Sequence, residues 1–94
     1  MNYEQIMQVG LTLNNNLGSI IIGANPKISL NTMNRLDVAD KEIMVKTFSE
    51  ELKFKVKKVD ISTSISGSIS IGMIIYDSDD FIKVKAGDEV YKIV

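Results

Sequence analysis

Apolar and polar side chains alternate with a period of two along several separate stretches of the chain. Over residues 7–13 the apolar side chains stand at every second position, and a run of three asparagines (14–16) follows. This alternation is typical of a half-buried strand, and asparagine tolerates the left-handed conformations of a turn. Residues 17–23 are then predicted to return as the second strand of a hairpin, which Asn25-Pro26 ends. A short edge strand is expected at 28–30.

The middle of the chain is open to two interpretations. A helix over about 38–52 gives Glu42 and Lys46 a favourable i,i+4 spacing and uses Asp37 as its capping acceptor. It also places four apolar residues roughly on one face, namely Val38, Val45, Phe48 and Leu52. The alternative is a strand over 43–48, because the apolar run at 43–45 would also suit a sheet. We predict the helix.

A change of phase marks the strand that follows. The apolar residues of 52–56 stand at even positions, but the next apolar residues are Val59 and Ile61. One extra residue in a strand shifts the alternation in this way, so a β-bulge is predicted at Lys57-Lys58. The long alternation over 65–75 then places its odd-numbered residues in the core.

The last part of the chain divides into short strands and turns. Residues 77–80 are predicted to form a turn, 81–85 a strand, 86–89 a second turn and 90–94 the last strand. The whole pattern predicts a mostly β fold in a single domain covering 1–94. It would be a small β-barrel or twisted antiparallel sheet with one α-helix at about 38–52. The expected core consists of Val9, Leu11, Ile20, Ile22, Phe54, Val56, Val59, Ile69, Ile71 and Met73.

One short segment occurs twice. Gly-Ser-Ile-Ile-Ile-Gly at 18–23 recurs as Gly-Ser-Ile-Ser-Ile-Gly at 67–72. A duplicated half-barrel would produce such a pattern. The alternative is coincidence, since these residue types are common in strands and the predicted helix has no counterpart in the second half.

Composition narrows the chemistry that is open to this chain. Its 94 residues include no cysteine and no histidine, which excludes disulfides, thiol catalysis, histidine-based hydrolase triads and the usual zinc sites. The net charge of −1 gives no strong field toward nucleic acid or membrane. We therefore expect a protein that is not an enzyme and holds no cofactor. With no recognisable signal peptide or transmembrane run, we expect it in the cytoplasm or in a particle assembled inside the cell.

The densest acidic group consists of Asp77, Asp79 and Asp80, with Asp88 further along. Aspartate oxygens are ligands for Ca²⁺ or Mg²⁺. However, a calcium loop requires glycine at its sixth position, and Ile82 stands there. We interpret the group as a solvated turn, where aspartate is favoured for local hydrogen bonds, and predict no metal site.

Six lysines form the candidate binding face: Lys53, Lys55, Lys57, Lys58, Lys83 and Lys85. The first three share one face of a strand and could follow a phosphate backbone. Stacking of bases needs aromatic side chains, and Phe54 points to the opposite face. A solvated outer surface is therefore the alternative interpretation.

Three motifs follow one another over residues 54–94: Phe54-Lys-Val-Lys-Lys-Val59, then Ile65-Ser-Gly-Ser-Ile-Ser-Ile-Gly72, then Ile82-Lys-Val-Lys-Ala-Gly-Asp-Glu-Val-Tyr-Lys-Ile-Val94. In this order they resemble the second-domain β-barrel of translational GTPases of the elongation factor Tu type. The chain departs from that pattern, since 64–67 replaces the family's Gly-Arg-Gly turn and Lys85-Ala86 is inserted. The resemblance implies a barrel and, through that family's contacts, RNA or the ribosome as a partner. It transfers no residue's role.

Three functional hypotheses remain. The first is a non-enzymatic protein-binding or self-assembling β module, a homo-oligomer such as a phage-particle or mobile-element accessory subunit, whose serine-rich strand at 62–70 could pair with a neighbour. The alternative is an RNA- or ribosome-associated barrel of the translation type, supported by the lysines and the resemblance. The third is a metal-dependent enzyme that uses the four aspartates. We expect the first and no membrane partner.

Overall fold

A computed structural model describes residues 2–16, 18–24, 38–63 and 69–93, which form a closed barrel of six antiparallel strands. The strands are β1 (Tyr3–Asn15), β2 (Gly18–Ala24), β3 (Glu42–Lys46), β4 (Glu51–Thr63), β5 (Ile69–Ile75) and β6 (Glu89–Ile93). A 3₁₀ helix at Asp79–Lys83 precedes β6. Around the barrel the order is β1-β2-β5-β4-β3-β6, and β6 pairs with β1.

The predicted β-rich fold is confirmed, and so are several of its details. β1 and β2 form the predicted hairpin, with its turn at Asn16. The register of β4 against β5 shifts between Val56 and Lys58, at the predicted bulge. Leu52, Phe54 and Val56 all face the barrel interior and are buried. The bulge explains why the apolar side chains change from even to odd positions after Val56.

The helix predicted over 38–52 is wrong, and the alternative strand is confirmed for 43–46. These residues lie in β3, between β4 and β6. Asp40 has a φ of 63°, a left-handed conformation that a helix does not accommodate. The three consecutive residues 43–45 are all buried. This suits a strand covered on both faces, whereas an amphipathic helix would bury only one side. Phe48, expected on the apolar helix face, is exposed in the turn after β3.

The strand predicted at 81–85 is also wrong, because residues 81–83 belong to the 3₁₀ helix. Ser78 caps this helix, and its side-chain oxygen accepts a hydrogen bond from the Asp80 N–H at 3.2 Å. Phe81 and Val84 are buried while Ile82 is exposed. A spacing of three matches the period of a 3₁₀ turn, and strand alternation would have buried every second residue.

Three residues expected in the core point outwards: Leu11, Ile20 and Ile22. The register of β1 against β2 shifts between Val9 and Leu11, so Gly10 is the extra residue of a bulge and the alternation of β1 reverses after it. Ile21 is the residue of β2 that enters the core. Because 20–22 is apolar throughout, its pattern alone does not distinguish the two faces of β2.

The core contains aliphatic side chains from every strand together with Phe54, and Val38, Phe81 and Val84 join it from outside the strands. Of the residues expected there, Val9, Phe54, Val56, Ile71 and Met73 are buried. Val59 and Ile69 are partly buried and pack against this core. The expected edge strand at 28–30 and the alternating positions 65 and 67 lie outside the described residues.

The two halves of the barrel have the same architecture. β1 and β4 both have 13 residues, β2 and β5 both have 7, and β3 and β6 both have 5. Exchanging each strand with its counterpart leaves the order around the barrel unchanged. Each half therefore contributes two paired strands and a third strand that crosses to the other half.

Matching backbone hydrogen bonds support this structural repeat. The Val9 N–H donates to the Asp88 carbonyl at 2.8 Å, and its counterpart, the Val56 N–H, donates to the Lys41 carbonyl at 2.9 Å. A second bond joins each valine to a residue with positive φ: the Gly87 N–H donates to the Val9 carbonyl, and the Asp40 N–H donates to the Val56 carbonyl. The registers of the two hairpins align Ile22 with Ile74, whereas the repeated segment in the sequence aligned Ile22 with Ile71.

Candidate interaction surfaces

An aliphatic surface covers the outer side of β1, β2 and β5. Residues opposite each other in an antiparallel ladder share a face. Leu11 lies opposite Ile22, Leu13 lies opposite Ile20, and Ile20 lies opposite Ile74. Leu11 and Leu13 are 50% and 41% exposed. We call these five residues the aliphatic face.

The structural repeat provides an internal comparison for this face. In the second half, Lys58 lies opposite Ile74 and therefore occupies the position of Leu11, which lies opposite Ile22. Asp60, two residues after Lys58, occupies the position of Leu13. Lys58 and Asp60 are well exposed and form an ion pair at 3.6 Å. The second half therefore carries a solvated charge pair at the outward positions where the first half carries two leucines.

A shallow depression of about 420 Å³ adjoins the aliphatic face between β1 and β2. The described residues that line it carry no charge: Gln8, Val9, Gly10, Leu11, Ile22, Gly23, Ala24 and Ser70. Its side walls are low because Gly10 and Ala24 have little or no side chain. The surface there is concave and largely apolar.

In the second half, Tyr76 takes the place of Ala24 at the counterpart of this depression. The Tyr76 N–H donates to the Lys55 carbonyl at 3.0 Å and extends the ladder between β4 and β5. Ala24 and Gln8 form the corresponding pair between β1 and β2 in the first half. The Lys55 Nζ and the Lys57 Nζ each lie 5.6 Å from the centre of the ring. These are cation–π distances, so two lysines flank an aromatic ring that is 42% exposed.

Phe48 projects from the turn between β3 and β4. Its side chain is 104% exposed, the highest value among the large apolar side chains that are described. The turn is held by Thr47, whose Oγ1 donates to the Glu50 carbonyl at 2.9 Å and accepts from the Glu50 N–H at 3.0 Å. Ile82 of the 3₁₀ helix lines the same shallow surface pocket as Phe48.

The six predicted lysines lie in three places. Lys53, Lys55 and Lys57 are on the outer side of β4, where Glu42 of β3 faces Lys55. Lys58 is paired with Asp60. Lys83 and Lys85 line the pocket beside Phe48, away from the first group.

Lys83 is held by two carboxylates. Its Nζ lies 3.2 Å from Asp80 Oδ1 and 3.4 Å from Glu50 Oε1. Hydrogen bonds to Asp80 and then to Glu50 raise the pKa of Lys83 above its usual value. These contacts tie the 3₁₀ helix to the β3–β4 turn that carries Phe48.

Two of the four aspartates considered as metal ligands, Asp80 and Asp88, have other contacts. Asp80 pairs with Lys83, and the Asp88 Oδ2 accepts a hydrogen bond from the Lys85 N–H at 2.8 Å. Within 2–16, 18–24, 38–63 and 69–93, no group of three or more acidic side chains is placed to hold a metal ion. The same ranges contain no helix long and apolar enough to cross a membrane.

The aliphatic face was missed in the sequence because three of its five residues, Leu11, Ile20 and Ile22, were assigned to the core. Gly10, isolated within an alternating strand, was the available signal, since such a glycine often marks a bulge. The approach of Tyr76 to Lys55 and Lys57 was missed for another reason. It depends on the pairing of β4 with β5, which brings distant parts of the sequence together.

No protein-family model, no curated protein and no solved structure matches this chain.

Proposed function

We propose that this protein is a non-enzymatic β module that associates with further copies of itself through the aliphatic face. The observation that carries the proposal is the contrast between Leu11 and Leu13 and their charged counterparts Lys58 and Asp60. Corresponding outward positions are thus aliphatic in the first half of the barrel and charged in the second half. Contiguous exposed apolar residues on a soluble domain are typical of interaction surfaces.

A second copy is the partner that fits this face best. The five residues of the aliphatic face carry no charge, so they select an equally apolar surface and offer no attraction to a charged partner. The chain itself supplies exposed apolar side chains of this kind, namely the aliphatic face and the Phe48–Ile82 region. A subunit of a phage particle or a mobile-element assembly would use such contacts between copies.

Exchanging the two leucines for their counterparts tests the proposal. We expect Leu11→Lys/Leu13→Asp to be monomeric where the unaltered protein forms a multimer in light scattering on a sizing column. The reason is that burying a lysine and an aspartate between copies costs desolvation that an apolar contact does not return. The matched control is Lys53→Asp, which introduces an aspartate on the outer side of β4 where it pairs with Met44 of β3, away from β1 and β2. Leu11→Lys/Leu13→Asp should still fold, because the second half of the barrel carries the same two residues at the corresponding positions.

Two outcomes would contradict the proposal. One is a wild-type protein that stays monomeric up to high micromolar concentrations. The other is a Leu11→Lys/Leu13→Asp variant that forms the same multimer as the wild type.

A second candidate function is binding of single-stranded RNA, and the Tyr76 site favours it. An exposed ring between two lysines combines a stacking surface with charges for phosphates. The resemblance to the barrel of translational GTPases points to the same class of partner. Glu42 opposite Lys55 and the ion pair of Lys58 reduce the positive charge of this side, and for that reason it ranks second.

If this second function holds, Tyr76→Leu should weaken binding of a fluorescent oligouridine by roughly 5–150-fold, because stacking contributes about 1–3 kcal/mol per base. Lys55→Gln/Lys57→Gln should reduce the slope of log K against log salt by about 1.4. Tyr3→Leu is the control, since Tyr3 is a comparably exposed tyrosine on another strand. Equal affinity of Tyr76→Leu and the wild type, or no binding at low salt, would exclude the site.

A further inference from the structure

We infer that the depression between β1 and β2 receives the side chain of Phe48 from a second copy, so that copies join head to tail. This inference rests on the proposed self-association and specifies which surfaces meet. It assigns a role to the depression and to Phe48, neither of which the fold itself requires.

The first argument comes from the structural repeat. In the second half the aromatic ring of Tyr76 lies beside Lys55 and Lys57, which correspond to Gln8 and Gly10 in the lining of the depression. In the first half Ala24 stands in place of Tyr76 and Gly10 in place of Lys57, so the ring and one of its flanking side chains are missing. The depression therefore corresponds to a place where the second half carries an aromatic ring.

The residues that line the depression favour a phenyl ring over the phenol ring of a tyrosine. Lys55 and Lys57 suit an exposed tyrosine, whose ring attracts cations and whose hydroxyl stays in water. In the depression their counterparts are Gln8 and Gly10, and Leu11 and Ile22 form much of the wall. An uncharged, largely apolar wall of this kind fits a phenyl ring without a polar group.

Phe48 is the phenyl ring that the chain presents to a neighbour. Its side chain is fully exposed, whereas the two other phenylalanines, Phe54 and Phe81, are buried. The hydrogen bonds of Thr47 and the ion pairs of Lys83 hold its turn from both sides. A ring presented on an ordered turn loses little conformational freedom on docking, which favours binding.

The positions of the two surfaces determine the type of assembly. Phe48 lies between β3 and β4, and the depression lies between β1 and β2, so these surfaces are on different strand pairs of the barrel. A contact between two different surfaces leaves one of each free at the ends of a dimer. Such heterologous contacts continue into a closed ring or an open filament.

A mixing experiment with two variants tests the inference. Phe48→Ser removes the ring, and Gly10→Lys/Ala24→Tyr fills the depression with the residues of the second half. Neither change should disturb folding, because Phe48 and Ala24 are exposed and a Cβ at Gly10 would have its nearest neighbour at 3.7 Å. Each variant alone should associate at least about 30-fold more weakly than the wild type, as expected for an aromatic anchor. Tyr3→Ser, which removes another exposed aromatic side chain, is the control and should associate like the wild type.

The equimolar mixture of the two variants gives the decisive result, recorded as mass by light scattering. One variant retains the depression and the other retains Phe48, so we expect a heterodimer that grows no further. A mixture that stays monomeric overturns the inference. So does a Phe48→Ser variant that assembles like the wild type; if Leu11→Lys/Leu13→Asp is then monomeric, self-association stands and only the role of Phe48 fails. A wild-type protein that never associates overturns both.

Discussion

Replacing Phe54 by alanine should lower the free energy of unfolding by about 3–5 kcal/mol. Phe54 is only 3% exposed and lies opposite Ile43 of β3, in the interior of the barrel. Its counterpart in the first half is Met7, which is also buried, so two large side chains fill the barrel from opposite sides. Removing one of them leaves a cavity that the closed ring of strands cannot collapse to fill. Urea unfolding followed by circular dichroism measures the change.

Phe48→Ala is the matched control for this substitution, because it removes the same side chain from a fully exposed position. At protein concentrations too low for self-association, we expect it to change the free energy of unfolding by less than about 0.5 kcal/mol. Domains of this size have about 5–15 kcal/mol of stability, so Phe54→Ala should lose a large part of the total. Equal midpoints for the two variants would mean that Phe54 does not fill the core.

The strands that the sequence predicted well are those whose two faces differ clearly. In β4 the lysines alternate with Leu52, Phe54 and Val56, so the buried face is unambiguous and even the bulge is recognisable. In β5 the small residues Ser70 and Gly72 alternate with Ile69, Ile71 and Met73. Such alternation records which side of a strand faces water, and it needs no knowledge of the neighbouring strands.

The helix prediction failed because β3 has no such contrast. Residues 43–45 are buried on both sides of the strand, and Met44 on the outer side lies between Lys53 and Tyr91 of the neighbouring strands. A short apolar run of this kind does not distinguish a buried strand from a helix. Only the pairing with β4 and β6 decides, and this pairing is invisible in the local pattern.

The candidate surfaces depend on the barrel even more strongly. The lysines at 53, 55 and 57 were recognisable as one face of a strand, but Lys83 and Lys85 belong to a different region. The aliphatic face became visible only when the register of β1 against β2 turned Leu11 and Leu13 outwards. Registers across strands are set by the whole fold, so surfaces that combine several strands are the hardest features to predict.

The structural repeat connects fold and function. In both halves a loop residue with positive φ donates a backbone hydrogen bond to a β-strand valine: Gly87 to Val9 and Asp40 to Val56. The framework is therefore shared, while the outward residues differ between the halves. The proposed self-association uses positions at which the two equivalent surfaces of the fold diverge. Both the aliphatic face and the depression lie at such positions.

Gly23→Ala should be the most damaging single-methyl change in the described chain, with a loss of about 3 kcal/mol in the free energy of unfolding. A Cβ on Gly23 would overlap the carbonyl oxygen of Gln8, and it would lie 3.0 Å from the carbonyl carbon of Gln8 and 3.1 Å from Met7 Sδ. The first two atoms belong to the backbone of β1. Relief therefore requires β1 and β2 to separate, which weakens the ladder between them. Thermal unfolding and urea titration both measure the loss.

Gly72→Ala is the matched control, since it adds the same methyl group to a strand glycine whose Cβ would have its nearest neighbour at 3.8 Å. It should be neutral or stabilising by up to about 1 kcal/mol, because alanine restricts the unfolded chain. The counterpart of Gly23 in the second half is Ile75, which is buried without such an overlap. The need for glycine thus arises from the close approach of β1 to β2 and not from the barrel architecture. If Gly23→Ala were as stable as Gly72→Ala, β1 would have to lie further from β2 than it does in this structure.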